Sequence, residues 1–246
     1  MSFRNIRPLH ILWQDGIADE VINHVNSGIV GILSWAEVLG EILPMHFVQR
    51  RQKNWLENGL LAPYQSLDWH IELARSNSKL AGHLNSTSLL NSLRENPTCT
   101  TDPRYELVVV NEPLHWHDTS LRKVGGIGRQ EQGAVITAHR DLSADRWSEK
   151  TQRKKELEFP LSIQMFVMHE LGHVFGLFTK GTAKENPSDD ELRQSHCLNE
   201  CVMYWRDDHE LNKKIERQPF CPSCLKQLRN YFLEPETIII DVDDTL

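Results

Sequence analysis

The residues best suited to chemistry in this chain form one short run, His169-Glu170-Leu171-Gly172-His173. Histidines four apart on a helix stand one turn above the other, so their imidazoles can grip one zinc ion from the same side. Glu170 projects about a quarter-turn away, within reach of a water on that ion without being a ligand. Gly176 follows His173 by three positions and lets the chain turn sharply off the helix. A second group lies downstream: Cys197, Cys201, Cys221 and Cys224 fall within 28 positions, whereas Cys99 stands alone. No apolar run of the signal-peptide kind opens the chain, so a cytoplasmic location is expected. In that setting clustered cysteines favour a metal site over disulfides.

Other elements must position these groups. The apolar residues Ile163, Val167, Leu171, Val174 and Phe178 recur at helical spacing, which predicts a helix over 160–178 with Pro160 in its first turn. Residues 148–158 read as a charged linker before it. Further up the chain, 9–13 reads as a strand and 16–26 as a helix stopped at Gly28. A second helix is expected over 31–43, closed by Pro44, and a polar helix-prone stretch over 67–95, ended by Pro97. The β-branched run 105–110 predicts a buried strand. Residues 134–139 predict another, entered through a glycine-rich loop at 125–128 and Gly133.

With 246 residues, 39% of them hydrophobic, the chain can build one large domain or a core domain with a small appendage. Its formal net charge of -7 argues against nucleic-acid and anionic-membrane partners. The basic runs Arg50-Arg51 and Arg153-Lys154-Lys155 lack interleaved stacking aromatics and read as solvated faces. No stretch reaches the roughly 18 apolar residues of a membrane span.

Taken together, the motifs resemble those of the archaemetzincins. His169-Glu-Leu-Gly-His173-Val-Phe-Gly176 is similar to the extended zinc signature of the metzincins, which continues to a third histidine. His196-Cys197, Cys201, Met203 and Cys221-Pro-Ser-Cys224 are similar to the archaemetzincin continuation, with 17 residues between Met203 and Cys221. The resemblance is sharpest over 160–224 and looser over 105–140. Two departures stand out. The family places its third histidine three residues after the glycine, whereas His196 comes twenty after Gly176. Removing the polar residues 179–195 restores the family string, so they read as a surface insertion beside the site. Such a loop closes cheaply, at about 0.6 kcal/mol per doubling of length. The spacing Cys197-x-x-x-Cys201 is also one residue shorter than the family's.

The resemblance implies an α+β fold of metzincin type: a twisted mixed sheet, an active-site helix and a small C-terminal zinc-binding subdomain. Residues 1–178 would form the sheet-and-helix part, 179–195 the insertion, and 196–246 the C-terminal part. It implies two zinc ions per chain, a catalytic one on His169, His173 and His196 and a structural one on Cys197, Cys201, Cys221 and Cys224. Glu170 would act as general base on a zinc-activated water that hydrolyses peptide bonds. Met203 would form a turn packed beneath the catalytic zinc. The strand 134–139 would be the edge strand along the cleft, pairing with a peptide or protein substrate. Tyr204 is a candidate for stabilising the tetrahedral intermediate, at an offset unlike that of tyrosine-assisted relatives. A monomer is the default.

Two other readings stay open. The chain could be a non-catalytic zinc-binding regulatory or interaction module of the same fold, if the insertion displaces His196. Alternatively, Glu185 or Glu191 could replace His196 as third ligand. The remaining clusters carry less: His115-Trp116-His117-Asp118 reads as a surface loop before it reads as a metal site, Asp207-Asp208-His209 as a solvated turn, and the acidic tail 238–245 as a chance likeness to a phosphatase motif.

Overall fold

The computed structural model describes residues 7–36, 48–52, 66–95, 103–117, 120–139, 149–178, 196–199, 201–204 and 218–233. The element order begins β1 (Leu9–Trp13), α1 (Asp19–Trp35), β2 (Val48–Gln52), α2 (Leu67–Ser76), β3 (Leu84–Asn85), α3 (Ser86–Arg94) and β4 (Tyr105–Val110). It continues with β5 (Leu114–His117), β6 (Ser120–Val124), β7 (Gly126–Arg129), β8 (Gly133–Thr137), α4 (Glu149–Val174) and α5 (Pro222–Leu233).

The apolar run of β4 dictates its place at the centre of the main sheet. All six of its residues are buried, as a strand covered on both faces requires. Leu107 and Val109 face one apolar cluster, shared with α1 and α4. Val108 and Val110 face a second, shared with α2 and α3. The sheet order is β2-β1-β4-β8-β7. β2, β1, β4 and β8 run parallel, and β7 returns antiparallel to β8. A small sheet of order β3-β5-β6 lies apart. The architecture is therefore α+β with a mixed sheet, as expected.

Several local expectations are corrected. Gly28 does not stop a helix: α1 runs on to Trp35, and Gly28 lies inside it. A Cβ at Gly28 would come within 2.8 Å of the Gln164 carbonyl and of Val167, so the glycine serves the close crossing of α1 and α4. Whatever follows residue 36 before β2 lies outside the described residues. The stretch 67–95 is two helices, because Asn85 accepts a hydrogen bond from the Ser88 amide at 3.0 Å and caps a fresh start at α3. The charged segment 148–158 belongs almost wholly to α4, which starts at Glu149 and carries Pro160 in its interior. Glu, Lys and Leu are strong helix formers there, enough to offset the one hydrogen bond a proline removes.

The largest correction concerns the sheet edge. β8 is interior, held between β4 and β7, and the glycine-rich segment 125–128 is strand from Gly126 onward, in the edge strand β7. His115 is likewise no surface residue. It sits on β5, fully buried, with Nε2 2.9 Å from the Ser78 hydroxyl.

Candidate metal centre

The helix face read from sequence is the one that packs inward: Ile163, Val167, Leu171 and Val174 are completely buried. That burial turns His169 and His173 towards the C-terminal segment. His169 Nδ1 lies 2.7 Å from the Val202 carbonyl and His173 Nδ1 lies 3.0 Å from the Leu177 carbonyl. A carbonyl can only accept, so each Nδ1 carries the proton and each Nε2 presents a lone pair. The two Nε2 atoms face each other at 3.3 Å. Two lone pairs so aimed repel unless a cation lies between them. A tetrahedral zinc with Zn–N bonds of about 2.0–2.1 Å sets its nitrogens about 3.3 Å apart. Burial lowers the pKa of His169 below 6.5 and that of His173 well below it, His173 also feeling its two neighbouring imidazoles. Both rings are thus neutral at pH 7, the form that binds metal.

His196 completes the group. Its ring centroid lies 5.1 Å from that of His169 and 5.0 Å from that of His173. One nitrogen from each of the three falls within 4.8 Å of the others. The polar residues 179–195, with Glu185 and Glu191, lie outside the described residues.

Glu170 turns the other way, onto β7. Only 6% exposed, it accepts a hydrogen bond from the Gly128 amide. Burial raises its pKa to about 8, against the pull of that amide. The approach is close because β7 is glycine-rich. A Cβ at Gly126 would meet Glu170 Cγ at 2.8 Å, and one at Gly128 would meet the Glu170 carbonyl oxygen at 2.2 Å.

Met203 is fully buried. Its sulfur presses on Gly172, where a Cβ would come within 2.5 Å of it. The neighbouring Val202 lends its carbonyl to His169, so one short turn supports both the helix and its first histidine. The Cys197 amide donates to the Met203 carbonyl at 2.9 Å, and Cys197 and Tyr204 form a β-bridge. Tyr204 thereby helps close the turn through its backbone.

The cysteines lie just beyond. The Sγ separations are 3.7 Å for Cys197–Cys221, 3.7 Å for Cys201–Cys224 and 3.5 Å for Cys221–Cys224. A disulfide holds its sulfurs at about 2.05 Å. A zinc with Zn–S bonds of about 2.3 Å holds them about 3.8 Å apart. The Cys224 thiol and the amides of Cys221 and Met203 lower the Cys201 pKa to about 5, while burial pushes Cys197 up to about 11. Four thiols packed this closely resist a second negative charge unless a cation joins them. Both donor sets therefore fit zinc. α5 fixes the cysteine end: Phe232 and Tyr231 pack on Phe175 with centroids 5.0 and 5.6 Å away. The Tyr231 and Tyr105 hydroxyls meet at 2.5 Å.

No family model matches the chain. A curated archaemetzincin of Nanoarchaeum equitans is 25% identical over 134 residues, 53% of this chain and 57% of that protein. The chain thus spans somewhat over half the length of that relative. The crystal structure of an archaemetzincin from Methanopyrus kandleri aligns over 92% of this chain and 95% of its own, with 19% identity and a TM-score of 0.54. This chain has the archaemetzincin fold. A zinc-dependent peptidase from Methanocorpusculum labreanum aligns at a TM-score of 0.46 and 17% identity, over 89% of this chain and 99% of its own.

Within the archaemetzincin fold, the structure brings the three histidines into one group and the four cysteines into another, sets Met203 against Gly172 of the helix, and turns Glu170 onto β7. It does not bring the strand 134–139 to the sheet edge. What the sequence reading missed are backbone groups, the carbonyls of Val202 and Leu177 and the amide of Gly128. Side-chain chemistry carries no trace of them, although the glycines at 125, 126 and 128 were a signal of close approach. Asp118, Asp207, Asp208, His209 and the tail 238–245 lie outside the described residues, as does the His117 side chain.

Proposed function

We propose that this protein is a zinc metallopeptidase. His169, His173 and His196 hold the catalytic ion, and Cys197, Cys201, Cys221 and Cys224 hold a second, structural one. The observation that carries the reading is the convergence of three imidazole nitrogens within 4.8 Å, two of them on the helix that also carries the buried Glu170 between them in sequence. When bound, zinc supplies a Lewis acid that polarises a carbonyl and makes water acidic. The protein's own groups do the rest. Val202 and Leu177 fix the two helix-borne rings through Nδ1, as outer partners of metal-bound histidines do. Glu170 takes the proton of the attacking water and returns it to the departing amine. The Gly128 amide aims that carboxylate from the edge strand. β7 can take an extended peptide as a further strand, which places the scissile carbonyl near Glu170.

Peptide hydrolysis by the zinc-loaded protein tests this, with Glu170→Gln as the control. The wild type should cleave members of a broad fluorogenic peptide library. The variant should keep its metal and lose about 100- to 10,000-fold in rate. Full zinc loading with no cleavage of any peptide would favour the alternative, a non-catalytic zinc-binding module. No helix among the described residues is long and apolar enough to cross a membrane.

A further inference from the structure

Arg129 closes β7, and the geometry around it concerns which peptides the edge strand accepts. This inference rests on the reading above that β7 borders the substrate. The Thr137 amide donates to the Gly125 carbonyl at 2.9 Å, which makes 125 and 137 a hydrogen-bonded pair. By alternation, Ile127 and Arg129 also turn their backbone groups towards β8, and Gly126 and Gly128 turn theirs outward. The outward amide of Gly128 is given to Glu170. Gly126 offers an N–H and a C=O, and Gly128 a C=O, to a sixth strand.

Side chains on β7 divide by face. Positions 126 and 128 lie against α4 and Glu170. Ile127 lies in the opposite apolar cluster, with α2 and α3. Arg129 follows Ile127 onto that face, where its Nη1 donates to Asn91 Oδ1 of α3 at 2.5 Å. Asn91 is neutral, so the half-buried guanidinium has no carboxylate partner among the described residues. Burial and the like charge of Arg94 both act to lower its pKa. An arriving anion would offset both by its opposite charge.

We propose that Arg129 selects peptides with an Asp or Glu side chain on the amino-terminal side of the bond presented to Glu170. A peptide paired antiparallel to β7 places its upstream residues beside the C-terminal end of the strand, where Arg129 stands. Residues directly opposite each other in an antiparallel pair point to the same face, about 5 Å apart at Cβ. The peptide residue facing Arg129 therefore extends towards α3, beside the guanidinium and away from Glu170. Arginine's planar fork suits a carboxylate at such a position.

The test uses the full-length zinc-loaded protein and fluorogenic peptides differing at one residue, Glu, Gln or Lys, scanned over the positions before the scissile bond. At one position the Glu peptide should exceed the Gln peptide in kcat/KM by about fivefold, the scale of a partly exposed ion pair. Arg129→Gln should bring that ratio to about one, Arg129→Lys should restore part of it, and Arg129→Glu should favour the Lys peptide. The same ordering should appear in peptide affinity for zinc-loaded Glu170→Gln, measured by fluorescence anisotropy. A ratio of one at every position in the wild type, or a ratio unchanged in Arg129→Gln, overturns the proposal. Acid-dependent binding through Arg129 without cleavage of any peptide would uphold it and overturn the peptidase reading instead.

Discussion

Replacing Gly128 by alanine should disable this protein without touching a single proposed metal ligand. The new Cβ would stand 2.2 Å from the Glu170 carbonyl oxygen and 2.9 Å from its carbonyl carbon. Both are helix backbone atoms, which no rotamer change can move aside. Reaching van der Waals contact requires β7 and α4 to separate by about 1 Å. Overpacking of this kind costs about 1–3 kcal/mol, or about 3–9 °C in Tm for a chain of this size. The functional loss should be larger in proportion, because the Gly128 amide retreats from the Glu170 carboxylate as strand and helix part. A misplacement of about 1 Å at a catalytic group lowers kcat by about 100-fold. Gly125→Ala is the matched control: its Cβ would meet the Phe166 ring at 2.8 Å, a side chain that can swing away. The assay is kcat on a fluorogenic peptide at saturating zinc, with metal content and Tm measured on the same samples. Gly128→Ala should keep its zinc and lose about 100-fold in kcat, while Gly125→Ala stays within about threefold of wild type. Full turnover in a folded Gly128→Ala protein would refute the argument that the edge strand positions the base.

Four further outcomes follow from the same geometry. In protein stripped of its histidine-site metal, the stabilisation from the depressed His169 and His173 is present above about pH 6.5 and lost as pH falls below it. Glu170 has the opposite sign: its folded pKa is raised to about 8, so stability held at low pH drains away as pH rises towards 8. Between pH 6.5 and 8 the loss should be on the order of 1–2 kcal/mol, and chemical denaturation of Glu170→Gln should show a flatter profile over that window. Cys221→Ser or Cys224→Ser should release one zinc of two by elemental analysis, and the wild type should resist thiol alkylation until that metal is removed. Phe232→Ala should cost about 3–5 kcal/mol in urea titrations, since it empties the ring cluster on Phe175. Met203→Leu should cost less than about 1.5 kcal/mol, whereas Met203→Ala should leave a cavity under Gly172 worth about 2–5 kcal/mol.

The two donor clusters, three histidines and four cysteines, were legible because metal chemistry restricts residue type and spacing together. Two histidines one helical turn apart, a glycine that ends the helix and paired cysteines at loop spacing leave few other readings. Strands β1 and β4 were legible for a related reason, as buried strands need continuous apolar runs. The misreadings share a cause as well: glycine and proline carry local preferences that tertiary contacts overrule. Gly28 resembles a helix stop, yet it is where α4 lies against α1. Gly126 and Gly128 resemble part of a flexible loop, yet they lie in the strand that must fit against Glu170. Pro160 resembles a helix start, yet eleven residues of helix precede it, 149–159. The sheet order β2-β1-β4-β8-β7 rests on long-range pairing that no local window contains.

Anomalous diffraction at the zinc edge, from crystals of the metal-replete protein, tests the central claim most directly. The account predicts two peaks per chain. One should lie among the Nε2 atoms of His169 and His173 and a ring nitrogen of His196, with the Glu170 carboxylate outside the coordination sphere, and the other among the four sulfurs. A peak ligated by His169 and His173 with His196 turned away, or with Glu170 bound to the metal, would contradict it.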